Sequence, residues 1–305
     1  MLLLTHRSGL GHQTGPGHPE CPGRLEAVLA ALEESAGPDW QRREAPAATS
    51  EQIGRVHPPE FQERLAKLMP AEGLSAVDGD TIVSPGSLTA AIHAAGACCA
   101  AVEALRTGET NIVFCATRPP GHHAEPARAM GFCLYNQIAI AAAHALASGD
   151  FQRVAIVDFD VHHGNGTQAT FWNEPRVFYA SIHQTSLFPH SGRAAEKGAH
   201  GTILNLPLPA GTGGAGFRAV VEGSLLPAID RFAPELLLIS AGFDAHVADP
   251  LADLMLEEDD FAWITSELRK LALTHAGGRI VSTLEGGYDI DALARSVVAH
   301  LEGLT

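Results

Sequence analysis

Cysteine is scarce in this sequence of 305 residues, which contains five cysteines and no Cys-x-x-Cys arrangement. A small, odd number of thiols argues against a disulfide framework. The missing Cys-x-x-Cys pairs argue against a structural zinc site built from thiolates. The cysteines therefore place the protein in neither of these classes.

The sequence also lacks the features that direct a chain to a membrane. We identify no apolar run of the length that a membrane-spanning helix needs. The apolar start, residues 1–4, is too short for a signal peptide and has no basic residues before it. We therefore expect a cytoplasmic protein that does not contact membranes.

Basic residues are few, because 20 lysines and arginines stand against 35 aspartates and glutamates, for a formal net charge of -15. Such a charge repels the phosphates of nucleic acids, so we do not expect nucleic acid as a ligand. It suits a cationic substrate. It is explained equally well as a charge that keeps a cytosolic protein in solution.

The chain alternates between strand-like and helix-like segments. Short apolar or β-branched runs beside turn signals predict strands at residues 1–5, 111–115, 153–159, 176–182, 202–206, 235–240 and 279–284. Helical spacing of apolar residues predicts helices at residues 24–34, 87–107, 136–148, 216–232, 257–275 and 290–302. The least regular segment is 44–80, where we predict a small strand and a helix over residues 60–67.

This alternation predicts the class of fold. The runs at 154–157 and 236–239 are almost wholly apolar, which is typical of central parallel strands covered on both faces. No internal repeat, low-complexity tract or linker interrupts the pattern. The sequence therefore predicts a single domain over residues 1–305, a three-layer α/β protein with a mostly parallel sheet.

Side chains capable of chemistry follow four of the predicted strands. In an open α/β sheet, ligands bind beyond the carboxyl ends of the strands. The residues found there are His122 and His123, the stretch 158–167, Asp244 and Tyr288. We therefore expect these groups to meet at one edge of the sheet.

The stretch DFDVHHGNGT, residues 158–167, suggests a metal site. Asp160 and His162 are two residues apart, and in an extended segment such residues face the same way and can bind one ion. Asp244 is the natural third ligand, which leaves positions open for water and substrate, as in catalytic zinc sites. Alternatively, the aspartates cap the next helix and the histidines are buried polar groups. Asp-x-His alone would favour that alternative, but the third ligand and the pair His122-His123 reverse the preference.

The pair His122-His123 is suited to proton transfer, because histidine titrates near neutral pH and a neighbouring acceptor fixes which nitrogen holds the proton. Asp158 and Asn165 can supply two such acceptors. Tyr288 follows two glycines that let the backbone approach a ligand, so its hydroxyl could donate to a developing oxyanion. A simple turn with a surface aromatic explains Tyr288 equally well.

Five motifs occur in one order along nearly the whole chain: RPPGHHA, GFCLYN, DFDVHHGNGT, SAGFDAH and EGGYD. Together they resemble the zinc-dependent histone deacetylase and acetylpolyamine amidohydrolase superfamily. The front segment GHPECPGRL, the stretch RPPGHH and Asn165 in place of an aspartate resemble the class II enzymes and their bacterial relatives. The resemblance implies the arginase-deacetylase fold, with an eight-stranded, mostly parallel sheet and helices on both faces.

The resemblance also implies a role for each site residue. It assigns zinc to Asp160, His162 and Asp244, in agreement with the spacing, and gives His163 no part in zinc binding. It implies that His123, supported by Asn165, is the general base and acid. By the same resemblance, His122 with Asp158 tunes the electrostatics of the site, and Tyr288 polarises the substrate carbonyl.

Two further sites follow from the resemblance alone. A potassium ion would be bound by Asp158, by backbone oxygens of Asp160 and His162, and by groups of Ser181 and Ile182. A narrow channel for an extended acyl-amine stem would involve Gly131, Phe132, Phe188, Leu251 and Gly287. Core packing is the alternative for the two phenylalanines, although apolar walls are normal for such a pocket. Arg24 matches a residue beneath the site.

The activity that the resemblance implies is amide hydrolysis by metal-activated water, which removes acetyl or another short acyl group from acyl-lysine in proteins or peptides. Zinc is the expected ion, with ferrous iron as the alternative in the cell, and hydroxamates are the expected inhibitors. Acetylated polyamines or another small amide are the alternative substrates. The residue after Asp249-Pro250 is Leu251 rather than an acid, which favours acyl-lysine.

Two other classes of function fit less well. A two-metal, arginase-like site would need more bridging carboxylates, whereas His163, Gly164 and Asn165 follow His162. A non-catalytic module that binds acyl-lysine would be expected to lack the tyrosine, the histidine pair or a ligand, and none of these is missing. The sequence leaves the oligomeric state open.

Overall fold

The computed structural model describes residues 1–35 and 40–305. Within these ranges the strands are β1 (Leu2–Thr5), β2 (Gln41–Glu44), β3 (Ser75–Ala76), β4 (Ile82–Val83), β5 (Ile112–Ala116), β6 (Val154–Asp158), β7 (Val177–Gln184), β8 (Ile203–Leu208), β9 (Leu236–Ala241) and β10 (Ile280–Leu284).

The helices in the same ranges are α1 (Ser8–Gly11), α2 (Pro22–Glu34), α3 (Ser50–Gly54), α4 (Pro59–Leu68), α5 (Ser87–Arg106), α6 (Gln137–Ser148), α7 (Asn165–Phe171), α8 (Gly214–Val220), α9 (Leu226–Phe232), α10 (Glu258–His275) and α11 (Ile290–Leu304). A π-helical segment, Val221–Leu225, joins α8 to α9.

Eight of the strands form one sheet, in the order β2-β1-β5-β10-β9-β6-β7-β8, and every neighbouring pair is parallel. β3 and β4 form a separate small antiparallel pair. The four strands in the middle, β5, β10, β9 and β6, are followed by the motif loops. Because the strands are parallel, these loops lie at the same edge of the sheet.

Helices cover both faces of the sheet, and alternate residues of each strand point into two different apolar clusters. On β5, Val113 belongs to the cluster that contains residues of α5 and α6, whereas Phe114 belongs to the cluster with residues of α2, α10 and α11. This alternation follows from the two-residue period of a strand. The predicted three-layer α/β architecture and the eight-stranded parallel sheet are confirmed.

Two elements differ from the sequence-based expectations. Strand β2 was missed, because its four residues, Gln41 to Glu44, are polar and exposed and pair only along one side, with β1. The predicted helix 216–232 begins earlier, at Gly214, and its regular hydrogen bonding is interrupted by the π-helical segment. The helix predicted over 60–67 is present as α4.

Helix α5 corrects another expectation. By length and composition, Ser87–Arg106 is apolar enough to cross a membrane, so the view that the sequence lacks such a run was wrong. Its residues include many alanines, which do not stand out as a hydrophobic run. Most of the helix is buried against α6 and the sheet, which is the environment of a core helix in a globular fold.

Candidate active site

Asp160, His162 and Asp244 come together beyond the carboxyl ends of β6 and β9. One ligand atom from each residue lies within 4.8 Å of the others, and all three side chains are buried. His162 Nδ1 is 3.2 Å from Asp160 Oδ1 and 3.1 Å from Asp244 Oδ2. Within residues 1–35 and 40–305, this is the one group of histidine, cysteine and acidic side chains arranged to bind an ion.

Backbone groups from neighbouring loops hold the two carboxylates. The N–H of Val161 donates to Asp244 Oδ1 at 2.8 Å, and the N–H of Gly286 donates to Asp160 Oδ2 at 2.8 Å. Gly286 must lack a side chain, because a Cβ there would overlap the carboxylates of Asp244 and Asp160. The first glycine of the EGGYD motif therefore makes room for the ligands.

The electrostatics of this cluster fit a bound cation. Burial and the nearby Asp160 carboxylate raise the pKa of Asp244 to about 7. Burial opposes a charge on His162, but hydrogen bonds to Asp160 and Asp244 outweigh it and raise the pKa of His162 to about 10. A proton therefore offsets the negative charge of the two buried carboxylates here, and a bound divalent cation would take the place of that proton. Two carboxylates and one imidazole with open positions form a donor set that suits a divalent metal ion.

His122 and His123 lie beside this cluster, each with a different acceptor at Nδ1. His122 Nδ1 is 3.0 Å from Asp158 Oδ2, and His123 Nδ1 is 2.9 Å from Asn165 Oδ1. The two rings are 4.0 Å apart, and the ring of His123 is 5.9 Å from that of His162. Asp158 and Asn165, which the sequence suggested as acceptors, are therefore hydrogen-bonded to His122 and His123 respectively.

The two histidines have opposite pKa directions. Burial opposes a charge on His122, but the carboxylates of Asp160 and Asp158 outweigh it and raise its pKa well above the ordinary value. Burial, together with the charges of His122 and His162, lowers the pKa of His123 well below the ordinary value. His123 is therefore neutral and able to accept a proton, whereas His122 is protonated and paired with Asp158.

Asp158, at the end of β6, also contacts the neighbouring strand β7. Its Oδ2 accepts from the Tyr179 hydroxyl at 3.0 Å, and its backbone lies opposite Ser181 across β6 and β7. Ile182 follows Ser181 in β7 and is buried. The residues expected around a potassium ion thus lie on two neighbouring strands and the loop after β6, and the potassium site itself stays a prediction.

Tyr288 is held by contacts on several sides. Its backbone N–H donates to Asp249 Oδ2 at 2.7 Å, and the Arg24 guanidinium lies 4.8 Å from the centre of its ring. Arg24 donates to the backbone oxygens of Gly287, at 2.6 Å, and of Glu285, at 2.5 Å. Burial raises the pKa of Tyr288 well above its ordinary value, so the phenol keeps its proton and can donate a hydrogen bond.

Aromatic rings flank the histidine and the tyrosine. The Phe188 ring is 5.0 Å from that of His123, and the Phe132 ring is 5.8 Å from that of Tyr288. Gly131, with φ +57°, lies against His123 and Phe188, and a Cβ there would overlap both side chains. The residues expected to line a channel are therefore adjacent to the expected catalytic groups.

Two other residues considered in the sequence analysis, Leu251 and His163, contact residues around the site. The backbone N–H of Leu251 donates to Asp249 Oδ1 at 3.0 Å, so Asp249 orients both Leu251 and Tyr288. His163 hydrogen-bonds Ser191 and Gln168 rather than the acidic pair. Burial lowers its pKa to about 3. It lies outside the group of Asp160, His162 and Asp244.

Buried glutamates beneath the site were missed. Glu285 Oε2 accepts from the backbone N–H of Gly121 at 2.6 Å and of His122 at 3.2 Å. Glu20 bridges Arg118, at 2.7 Å, and Arg24, at 3.2 Å. Both glutamates lie inside motifs that were identified in the sequence, so an acid within an otherwise apolar or glycine-rich motif was the signal that could have revealed them.

Comparisons with known proteins agree with this geometry. A family profile described as "Histone deacetylase domain" matches residues 18–304. "Histone deacetylase-like amidohydrolase" of Pseudomonas aeruginosa is 40% identical over 271 residues, which cover 87% of this chain and 71% of that protein. "Polyamine deacetylase HDAC10" of Homo sapiens is 38% identical over 86% of this chain, which spans 41% of the human protein.

A solved structure is also similar. The crystal structure of the HDA15 HD domain matches with a TM-score of 0.92 and 32% sequence identity, covering 99% of this chain and 89% of that one. The chain belongs to the histone deacetylase family. Its predicted arginase-deacetylase fold and its predicted amide-deacetylase function are thereby confirmed.

Proposed function

We propose that the protein is a zinc-dependent deacetylase that removes acetyl or another short acyl group from lysine side chains in proteins or peptides. The observation that carries this proposal is the position of a neutral His123 beside the group of Asp160, His162 and Asp244. A three-ligand metal group with a general base next to it is an arrangement suited to the hydrolysis of an unactivated amide.

Asp160, His162 and Asp244 are the residues that would hold the ion. A divalent cation there would polarise the amide carbonyl and lower the pKa of a bound water from 15.7 to about 7. Zinc suits a site with an imidazole and two carboxylates, and ferrous iron is the alternative ion.

The side chains of the protein would move the protons. His123 Nδ1 donates to Asn165 Oδ1, which leaves Nε2 as the basic nitrogen that accepts a proton from the attacking water. Tyr288 would donate a hydrogen bond to the carbonyl oxygen as negative charge develops on it. His123 would then return the proton to the nitrogen of the departing amine, and the products are a carboxylate and a free amine.

The surroundings of these groups support an extended substrate stem. Phe188 lies against His123 and Phe132 lies against Tyr288, and Gly131 adds no side chain beside His123 and Phe188. Apolar walls with a few polar groups at the base suit a methylene chain that ends in an amide.

Acetylated polyamines are the second candidate substrates. The net charge of -15 suits a polycation, and HDAC10 of Homo sapiens, which is named a polyamine deacetylase, is 38% identical to this chain. Leu251, after Asp249-Pro250, offers no carboxylate for a distal ammonium group, which favours acyl-lysine.

We also propose a structural potassium ion near Asp158, on the basis of the family resemblance. Asp158, Ser181 and Ile182 lie close together on β6 and β7, and Asp160 and His162 follow in the next loop. A higher unfolding temperature in potassium chloride than in tetramethylammonium chloride of equal ionic strength would support this site. Equal unfolding temperatures would contradict it.

The experiment that tests the main proposal uses protein stripped of metal and reloaded with one equivalent of Zn²⁺ or Fe²⁺. An acetyl-lysine peptide and an N-acetylated polyamine are compared at equal concentrations, with and without a hydroxamate. We expect turnover only in loaded enzyme, inhibition by the hydroxamate, and a higher kcat/KM for the peptide. A higher kcat/KM for the polyamine would reverse the choice of substrate, and undiminished turnover without metal would refute the mechanism.

A further inference from the structure

The side-chain amide of Asn165 has a second partner besides His123. While Asn165 Oδ1 lies 2.9 Å from His123 Nδ1, Asn165 Nδ2 donates to Glu125 Oε1 at 2.8 Å. Nδ2 is also 3.4 Å from the sulfur of Met130. Glu125 therefore contacts the far end of the amide that supports the general base.

An asparagine amide needs such a partner because its two ends have nearly the same shape but opposite hydrogen-bonding character. With the oxygen facing His123, the imidazole must carry its proton on Nδ1, and Nε2 is basic. With the amide rotated by 180°, Nδ2 would donate to Nδ1 of His123, and the proton would move to Nε2. In that tautomer, His123 has no basic nitrogen for the attacking water.

The Glu125 carboxylate distinguishes the two orientations. A carboxylate only accepts hydrogen bonds, so it pairs with the NH₂ end of the amide and repels the oxygen end. A tight backbone turn fixes its position, since the N–H of Glu125 donates to the Arg128 oxygen at 2.9 Å and the N–H of Arg128 donates back at 3.2 Å. Hydrogen bonds to a charged acceptor are also among the stronger ones in proteins.

We propose that Glu125 is a positioning residue that orients the Asn165 amide and thereby keeps the proton of His123 on Nδ1. It acts through Asn165 and does not touch the reacting atoms. The inference rests on the proposed function, because it assumes that His123 is the general base. An aspartate at position 165 would need no such partner, because both ends of a carboxylate accept.

The test is a double-mutant cycle between positions 125 and 165, measured as kcat for metal-loaded enzyme. Glu125→Ala should lower kcat roughly two- to tenfold, if half to nine-tenths of the molecules then hold the amide in the wrong orientation. Glu125→Gln should recover little of the loss, because a glutamine amide can present either its oxygen or its NH₂ group and so pairs with both orientations of Asn165. Arg128→Gln, on the same turn, is the matched control and should leave kcat unchanged.

The decisive comparison uses the Asn165→Asp background, where Glu125 would face a second carboxylate. There, Glu125→Ala should leave kcat unchanged or raise it, because orientation no longer matters and a like-charge contact is removed. An equal loss of kcat in both backgrounds would show that Glu125 merely supports the fold, and the proposal would be wrong.

A second readout does not require activity. In protein labelled with ¹⁵N-histidine, imidazole nitrogen shifts report which nitrogen carries the proton, and His123→Gln identifies the signals. We expect His123 to be protonated on Nδ1 in the parent and to show a mixture of tautomers in Glu125→Ala. An unchanged Nδ1 tautomer in that variant would overturn the proposal. An inactive parent that shows the expected tautomers would instead contradict the proposed function.

Discussion

His300 provides a prediction about stability that is independent of the active site. Its side chain is fully buried, with Nδ1 2.6 Å from the Thr265 hydroxyl and Nε2 2.8 Å from the Ser282 hydroxyl. The rings of Phe159 and Phe243 lie 5.8 and 5.7 Å away. Burial in these apolar surroundings lowers the pKa of His300 to about 3, so the folded protein holds a neutral ring.

The unfolded chain differs, because an exposed histidine titrates near pH 6.5. Above pH 6.5 neither state carries the proton, and His300 has no pH-dependent effect. Between pH 6.5 and pH 3 only the unfolded chain binds it, so the free energy of unfolding falls by about 1.4 kcal/mol for each pH step. From pH 8 to pH 5, His300 alone should therefore lower the stability of the protein by about 2 kcal/mol.

His300→Gln removes this proton binding but keeps an amide that can hydrogen-bond the two hydroxyl groups. Urea unfolding of the parent and the variant at pH 8 and pH 5 gives the loss of stability for each. We expect the loss to be about 2 kcal/mol smaller in the variant. The other buried histidines contribute equally to both proteins and cancel.

His200 is exposed, and His200→Gln is the matched control, which should retain the pH dependence of the parent. The quantity compared is the loss in free energy of unfolding between pH 8 and pH 5. The absolute free energies are not compared, because any substitution in this core lowers stability by itself. If His300→Gln and the parent lose the same free energy between pH 8 and pH 5, the buried ring does not stay neutral and the reasoning is wrong.

Asp244→Ala should lose both bound metal and activity, and stoichiometric metal in that variant by elemental analysis would refute its role as a ligand. Tyr288→Phe should keep the metal and lose about 10²–10³ in kcat, the effect of one oxyanion donor, and full turnover would contradict that role. Glu285→Ala removes the carboxylate acceptor of two buried N–H groups, at roughly 1–3 kcal/mol each in urea unfolding. Glu285→Gln should recover most of this loss, and equal stability of the two variants would exclude the hydrogen bonds as the cause. Gly131→Ala should lower kcat by displacing His123, whereas Gly149→Ala, with a similar positive φ and open space, should not; equal activities would argue against the steric explanation.

The sequence predicted the elements whose signals are local. Strands β6 and β9 are almost wholly apolar, and the side chains just after them form the candidate metal group, because parallel strands bring their carboxyl ends to one edge. Strand β2 was missed, since an exposed edge strand needs no apolar residues and its pairing with β1 is not a local property. The motifs predicted candidate catalytic residues, but not the buried groups that hydrogen-bond to their loops.

Those supporting groups connect positions that are far apart in the chain. Glu285 binds the backbone at Gly121 and His122, and Arg24 binds the backbone at Glu285 and Gly287. Glu285 therefore ties the loop that carries the tyrosine to the loop that carries the histidine pair, and Arg24, on α2, holds the tyrosine loop. Both side chains are without solvent exposure.

This arrangement has a consequence for catalysis. A general base and an oxyanion donor act efficiently only when both are already in place, because reorganisation during the reaction would raise the barrier. Buried hydrogen bonds between the two loops restrict such movement. A substitution at Glu285 should therefore lower kcat more than it raises KM, even though its side chain supports the backbone of the site and its role does not require contact with the substrate.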